Sequence, residues 1–352
     1  MCDKVLPPSK AKETLKQERY DSLDGLRAYA AIGIVLMHVL ANIATKPTAN
    51  YLTTKLIPFF TDFTLLFMVV SGFSLCCGYY ERIKTGAITP NAFYKKRYLR
   101  ILPFFALLCL LDLALSPSLG SLCEVFANLT LCFGLLPSTA DITVIGVGWF
   151  LGVVFFFYLL FPFFVFLMDN RIRAWISFGL AIVFVLVALT HFEPINRKNM
   201  IFCAPLFMAG GLAYIYRGNI FDWARKNAIV SAIVTIVLTV AYLAFRHLIP
   251  GGFIHYVAEL TLFSLWLLYA IGSKDVVFNN IVVKYLSGIS MEIYLCHMVM
   301  YRVVERVHIE NVITNINLLY VTTSLLTILG AICFAHIVKY YVVEKIMARI
   351  GL

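Results

Sequence analysis

The sequence predicts an all-α polytopic membrane protein. It is 61% hydrophobic and only 14% charged over 352 residues, whereas a soluble domain of this length carries about 25% charged residues. Apolar runs of about 20 residues recur along the chain, which is the length a helix needs to cross a bilayer. The runs are too long, and alternate too little, for a membrane barrel.

Ten of these apolar runs are predicted to cross the membrane as helices. They lie near 24–43, 58–80, 99–116, 148–168, 173–190, 200–216, 227–246, 253–272, 288–307 and 317–338. One further segment, 121–137, is short, contains Glu124 and Asn128, and ends at Pro137. We expect this segment to be re-entrant or to form an interfacial hairpin, which a membrane protein tolerates where protein covers it or it lines a cavity.

The basic residues predict the orientation of the chain. With ten spans and a cytoplasmic N-terminus, 21 Lys and Arg residues face the cytoplasm, seven face outward and Arg27 lies in the first span. If 121–137 crossed fully, ten of those 21 would face outward instead. Since Lys and Arg favour the cytoplasmic side, the count favours ten spans with both termini cytoplasmic. The net charge of +10 thus reflects topology, and no nucleic-acid partner is expected.

The chain is predicted to have a basic cytoplasmic tail, 1–19, followed by a single membrane domain, 20–352. The tail lacks the apolar core of a cleavable signal peptide, so the first span is expected to direct insertion. The nine cysteines are scattered and form no C-x-x-C pair. We therefore expect neither a disulfide framework nor a metal site. The oligomeric state is left open, with a homodimer among the options.

The first span carries two ionisable residues that hydrocarbon does not tolerate cheaply, Arg27 and His38. They are eleven residues apart, so they share one helix face at a separation of roughly 16 Å. Asp24 is close in angle to Arg27. Because an ionisable residue inside a span indicates a functional site, we predict a polar stripe with a charge pair at its mouth and an imidazole at depth.

Two later segments of the chain also carry polar groups. Arg97 and Arg100 share a helix face at the start of the third span. Their guanidinium groups suit phosphate, although basic residues here also serve as topology anchors. Ser71, in the small-residue pair Ser71-Gly72, is expected either to pack helices or to line a site.

Further residues in apolar settings allow more than one interpretation. Trp149 is expected in the aromatic belt at the outer interface. Glu292 and His297 lie five residues apart in one span, so they do not share a face. A buried histidine is commonly a core residue, but two ionisable residues in one span strengthen a functional interpretation.

Five ordered motifs, from about residue 20 to the C-terminus, together resemble the acyltransferase-3 family of bacterial integral-membrane acyltransferases. They are Leu23-Asp24-Gly25-Leu26-Arg27-Ala28 with His38; Phe67, Ser71 and Gly72; Arg97 and Arg100 with Ile101 and Pro103; Trp149, Leu151, Phe157, Tyr158, Leu159 and Pro162; and Leu286, Gly288, Ile289, Ser290, Tyr294, Leu295 and His297. The chain departs from the family at Val154 and Phe155, where relatives often have Glu-Glu. Glu124 and Glu292 are candidate substitutes.

The resemblance implies transfer of an acyl group, most often acetyl, from cytoplasmic acyl-CoA to a hydroxyl of a surface glycan or its lipid-linked precursor. It also implies a location in the bacterial inner membrane. In this hypothesis Arg97 and Arg100 hold the phosphates of coenzyme A, the pantetheine arm passes Arg27 and Ser71, and His38 acts as the base. Arg27 either forms an ion pair with Asp24 or binds the donor. Tyr158, Trp149 and His297 remain further candidates.

Two other function classes compete with this hypothesis. A transporter or flippase would use the buried arginine and histidine as a relay, although the chain lacks the paired, interrupted halves typical of such proteins. A catalytically inactive membrane scaffold is the third class, and Val154 favours it slightly. Release of coenzyme A on adding acetyl-CoA and a glycan acceptor would separate the enzyme from both.

Overall fold

The computed structural model describes residues 20–115, 117–133, 146–192 and 195–349, and the predicted tail 1–19 lies outside them. Every regular element in these ranges is helical. The principal helices are α1 (Ser22–Asn42), α2 (Phe63–Lys84), α3 (Pro90–Leu115), α4 (Leu119–Leu129), α5 (Trp149–Leu167), α6 (Arg171–His191), α7 (Met200–Ile215), α8 (Arg217–Lys226), α9 (Ala228–Phe245), α10 (Phe253–Gly272), α11 (Ile281–Gly288), α12 (Ser290–Glu305), α13 (Ile316–Ile337) and α14 (Glu344–Arg349). Helical turns at Leu52–Leu56, Ile57–Phe59 and Phe60–Asp62 lead into α2, and Val338–Val343 joins α13 to α14.

The prediction of an all-α polytopic membrane protein is confirmed. In the part of the chain that the structure describes, eight helical stretches are long and apolar enough to cross a membrane, and there are nine if α7 and α8, bent by 73°, count as one span. The predicted span 288–307 corresponds to α12, which has 16 residues. At about 24 Å this helix is shorter than a typical hydrocarbon core of about 30 Å.

The ambiguous segment 121–137 coincides in part with the 11-residue helix α4. A helix of this length spans only about 16 Å, so it cannot cross a bilayer alone. This agrees with the prediction that the segment does not cross as one helix. Residues 134–137 lie outside the described residues, and with them lies the predicted return of the hairpin.

Helix α1 is surrounded by other helices, because it contacts α2, α10, α11, α12 and α13. Its small residues allow this crowding. Ala28, Ala30 and Ala31 are each 1% exposed, and a Cβ added at Gly33 would meet the Phe63 ring at 2.6 Å. The helix that carries Arg27 and His38 is therefore held from several sides.

Two glycines set the close crossing of α2 and α7. A Cβ at Gly72 would overlap the carbonyl oxygen of Phe207, and one at Gly210 would overlap the carbonyl oxygen of Val69. Glycine is required where two helix backbones approach this closely. Gly72 thus packs helices, while its neighbour Ser71 lines a cavity described below.

Candidate functional site

A cavity of about 300 Å³ lies between α1, α2, α3, α5, α11 and α12, and we call it the arginine cavity. Its lining residues are Arg27, Phe67, Ser71, Ser74, Leu75, Arg97, Arg100, Ile101, Phe150, Leu151, Val154, Tyr158, Ser287, Ser290, Met291 and Tyr294. Among the described residues, the lining includes three arginines but no Asp or Glu residue. Arginines without lining carboxylates are suited to binding an anion.

Contacts from three helices hold Arg27 at the cavity. Its Nη1 lies 3.6 Å from Asp24 Oδ1, and its Nη2 donates a hydrogen bond to Ser74 Oγ on α2. Asp24 in turn accepts a hydrogen bond of 2.7 Å from Ser287 Oγ on α11. Arg27 thus pairs with Asp24 and still lines the cavity, so the two roles considered for it do not exclude each other.

Arg97 is fixed by aromatic side chains instead of a carboxylate. Its Nη2 donates a hydrogen bond of 2.8 Å to the Tyr79 hydroxyl. The guanidinium carbon lies 4.7 Å from the centre of the Tyr79 ring and 5.7 Å from that of Tyr158. Its Nε is buried and has no hydrogen-bond partner. Arg100, one helical turn further on, is exposed. Both side chains therefore keep their positive charge available to a ligand.

Three aromatic rings close one side of the arginine cavity. Tyr294 lies 5.3 Å from Phe150 and 6.4 Å from Phe67, measured between ring centres. The Tyr294 hydroxyl donates a hydrogen bond of 3.0 Å to the carbonyl oxygen of Val147, which fixes the ring between α5 and α12. Tyr294 thus belongs to the cavity lining and also lies 5.9 Å from the ring centre of His297.

His38 and His297 form a pair beside these aromatic rings. Their ring centres are 5.0 Å apart, and His297 lies 5.9 Å from Tyr294. The Nδ1 of His297 lies 2.6 Å from the carbonyl oxygen of Tyr294. Because a carbonyl only accepts, Nδ1 carries the proton, and Nε2 of the neutral ring has a free lone pair. This Nε2 is buried without a hydrogen-bond partner.

The structure gathers most of the residues predicted for the site. Ser71, Arg97, Arg100 and Tyr158 line the same cavity as Arg27. The sequence allowed His297 to be either a core residue or a functional residue. It did not identify His297 as the partner of His38. It also missed the serines that fix Arg27 and Asp24. Helix periodicity gives no signal for these contacts, because they join helices that are distant in sequence.

Three other candidates lie away from the cavity lining. Trp149 is only 8% exposed and packs against Phe150 at 5.9 Å, so the expectation of a lipid-facing belt residue is corrected to an inward packing residue. Glu124 is half-buried on α4. Glu292 is buried and pairs with Lys339 Nζ at 2.9 Å. Neither glutamate lines the arginine cavity, whereas Val154 does.

No cluster of three or more potential metal ligands occurs in the described ranges.

Among known proteins, a family model described as an acyltransferase domain, Acyl_transf_3, matches residues 20–336. The chain is also 34% identical over 90 residues to "Protein 2 in picA locus" of Rhizobium radiobacter. This match covers 26% of the chain and 42% of the relative, so the chain spans about two fifths of that protein's length. No solved structure gives a significant match.

Proposed function

The chain belongs to the acyltransferase-3 family, and we propose that it transfers an acyl group, most simply acetyl, from acyl-CoA to a hydroxyl of a surface glycan or lipid-linked sugar. The observation that carries this proposal is the arginine cavity, which has no lining carboxylate in the described part of the chain and adjoins the histidine pair. The arginine cavity suits an anionic thioester donor, and the histidine pair suits an acceptor hydroxyl that must lose a proton. The family supports this function over a transporter or flippase.

The donor is held through its phosphates. Arg97 and Arg100 bind the phosphates of coenzyme A, because guanidinium groups match phosphate oxygens in charge and geometry. The pantetheine arm extends along the cavity past Arg27 and Ser71. Arg27 lies about 16 Å from His38 along α1, so an extended arm is needed to bring the thioester to the histidines.

The transfer itself requires one proton acceptor. His38 accepts the proton of the acceptor hydroxyl as its oxygen attacks the thioester carbonyl carbon. The new C–O bond forms, the C–S bond breaks, and the proton passes from His38 to the departing thiolate of coenzyme A. His297 assists by offering its free Nε2 lone pair to a ring N–H of His38. Asp24 keeps Arg27 oriented toward the donor.

The distribution of basic residues gives the proposed orientation. The arginine cavity faces the cytoplasm of a bacterial inner membrane, and both termini are cytoplasmic. Cytoplasmic acyl-CoA then enters at the arginine end of α1, while the acceptor approaches the histidines from the other end.

Coenzyme A release by the purified protein, measured with acetyl-CoA and a glycan acceptor, tests the proposal. We expect His38→Gln to lower the transfer rate about 10²- to 10⁴-fold, the usual contribution of a positioned base. Acetyl-CoA affinity should stay within about twofold because the arginine lining is intact. Unchanged transfer in this variant would contradict the base assignment, and uptake of substrate without thioester cleavage would favour a transporter.

A further inference from the structure

A second, smaller cavity of about 100 Å³ lies at the end of α1 opposite Arg27, and we call it the distal cavity. Its lining residues are Ile43, Ala44, Thr45, Tyr301, Val304, Glu305, Ile309, Glu310, Leu319 and Thr323. They come from the residues after α1, the end of α12, the turn at Ile309–Asn311 and the start of α13. Ile43 follows Arg27 by sixteen residues, which corresponds to about 24 Å of helix.

The histidine pair lies between the two cavities. Tyr301 follows His297 by four residues on α12, so it shares the same helix face about one turn further on. Ile43 follows His38 by five residues at the end of α1. Helix α13 is tied to this region by a hydrogen bond of 3.0 Å from the Tyr320 hydroxyl to the carbonyl oxygen of Leu36. The helices that carry the two histidines thus also build the distal cavity.

Thr323 contributes a hydroxyl group to the lining of the distal cavity. Thr323 is 6% exposed, and in the described part of the chain no hydrogen bond to its hydroxyl is found. A hydroxyl group that faces a cavity can form a hydrogen bond with a partner there. A hydroxyl-bearing ligand in the cavity would supply one.

Carboxylates add negative charge to the same cavity. The Tyr301 hydroxyl lies 3.4 Å from Glu305 Oε1. Glu310 Oε1 lies 2.9 Å from His308 Nδ1, and this hydrogen bond lowers the pKa of Glu310, so the carboxylate is ionised at neutral pH. Carboxylates accept hydrogen bonds from hydroxyl groups and repel anions.

We propose that the distal cavity binds the acceptor, and that this acceptor is a neutral or cationic sugar or polyol. The inference rests on the proposed function. One edge of the acceptor is held by Thr323, Glu305 and Glu310, and its reactive hydroxyl points toward His38. Donor and acceptor therefore meet at the histidine pair from opposite ends of α1, and an anionic acceptor is disfavoured.

Cysteine labelling in whole cells tests the acceptor site and requires no purified acceptor. Cells producing Thr323→Cys are treated with a membrane-impermeant maleimide, and their membranes are then opened with detergent. Thr322→Cys, whose side chain does not line the cavity, is the matched control, and the parent chain gives the background of its own cysteines. The readouts are incorporation of radiolabelled acetyl from acetyl-CoA into the endogenous acceptor, and binding of acetyl-CoA.

We expect Thr323→Cys to react with the maleimide and then to lose transfer about tenfold or more, because the filled cavity excludes the acceptor. Its acetyl-CoA affinity should stay within about twofold, since the arginine cavity is untouched. Failure to label, or full transfer after labelling, would overturn the acceptor site. If the unlabelled protein neither binds acetyl-CoA nor transfers acetyl, the proposed function fails, and the acceptor site with it.

Discussion

The arginines of this protein occur in two contrasting settings along α2. At the start of the helix, buried Asp62 accepts from Arg197 Nη2 at 3.0 Å and from Arg246 Nη2 at 2.6 Å. Arg246 also lies 3.6 Å from Glu259. Twelve residues after Asp62, about 18 Å along the helix, Ser74 lines the arginine cavity.

The difference between the two groups lies in the carboxylates. Around Asp62 each arginine is paired, and the ion pairs join the start of α2, the residues before α7, the turn after α9 and helix α10. In the arginine cavity, as far as the described ranges extend, only Arg27 forms an ion pair with a carboxylate, and that carboxylate, Asp24, is outside the lining. Paired buried charges hold helices together, whereas arginines that face a cavity without carboxylates are available to a ligand. The two groups should therefore respond oppositely in tests of stability and of donor binding.

The largest effect is expected on stability from Arg246→Met. This change leaves Asp62 and Glu259, with side chains 3% and 6% exposed, short of a partner. Removing one member of a buried ion pair costs about 3–5 kcal/mol. Asp62 keeps Arg197 and Glu259 keeps His255 as partners, so the free energy of unfolding in mixed micelles should fall by up to that amount. The dissociation constant for acetyl-CoA should not change.

Adding Asp62→Asn to Arg246→Met provides the control for this first prediction. Removing the charge of Asp62, which has then lost one of its two arginine partners, should recover part of the stability. If Arg246→Met instead weakens acetyl-CoA binding and leaves the free energy of unfolding unchanged, the ion pairs around Asp62 do not stabilise the fold.

The next largest effect is expected on donor binding from Arg97→Gln. A hydrogen bond to a charged group contributes about 1.5–3 kcal/mol, so the dissociation constant for acetyl-CoA should rise about 10- to 100-fold. Calorimetric titration of the purified protein measures it. Arg100→Gln should have a smaller, salt-sensitive effect because its side chain is exposed and screened by solvent. Unaltered affinity in Arg97→Gln would contradict the proposal that Arg97 binds the phosphates of the donor.

The sequence predicted the arginines of the arginine cavity better than the ion pairs around Asp62. Helix spacing placed Arg27 and His38 on one face and paired Arg97 with Arg100, and the motif order linked them to one site. Arg246 was counted only as an outward-facing topology charge. Its ion pair with Asp62 joins residues 184 positions apart, and no local period encodes such a contact.

The histidine pair illustrates the same limit. His38 and His297 each stand out in the sequence because an ionisable residue is costly in an apolar span. Their contact depends on how α1 packs against α12, and the spacing of either histidine within its own helix does not determine that packing. The ion pair between buried Glu292 and Lys339 was also not predicted. Lys339 lies in the helical turn after α13 and was interpreted only as a basic residue that sets the topology.

The smallest effect, and the one that tests the contrast most directly, is expected from Ser74→Asp. Arg27 Nη2 already donates to Ser74 Oγ, so a carboxylate at this position would pair with Arg27 and resemble the setting of Asp62. One added negative charge near the donor should weaken acetyl-CoA binding about tenfold, and less in high salt. Ser74→Asn, which is of equal size but neutral, should change the affinity by no more than about twofold. If both variants weaken binding equally, side-chain size and not charge governs the cavity, and the absence of carboxylates from its lining has no bearing on donor binding.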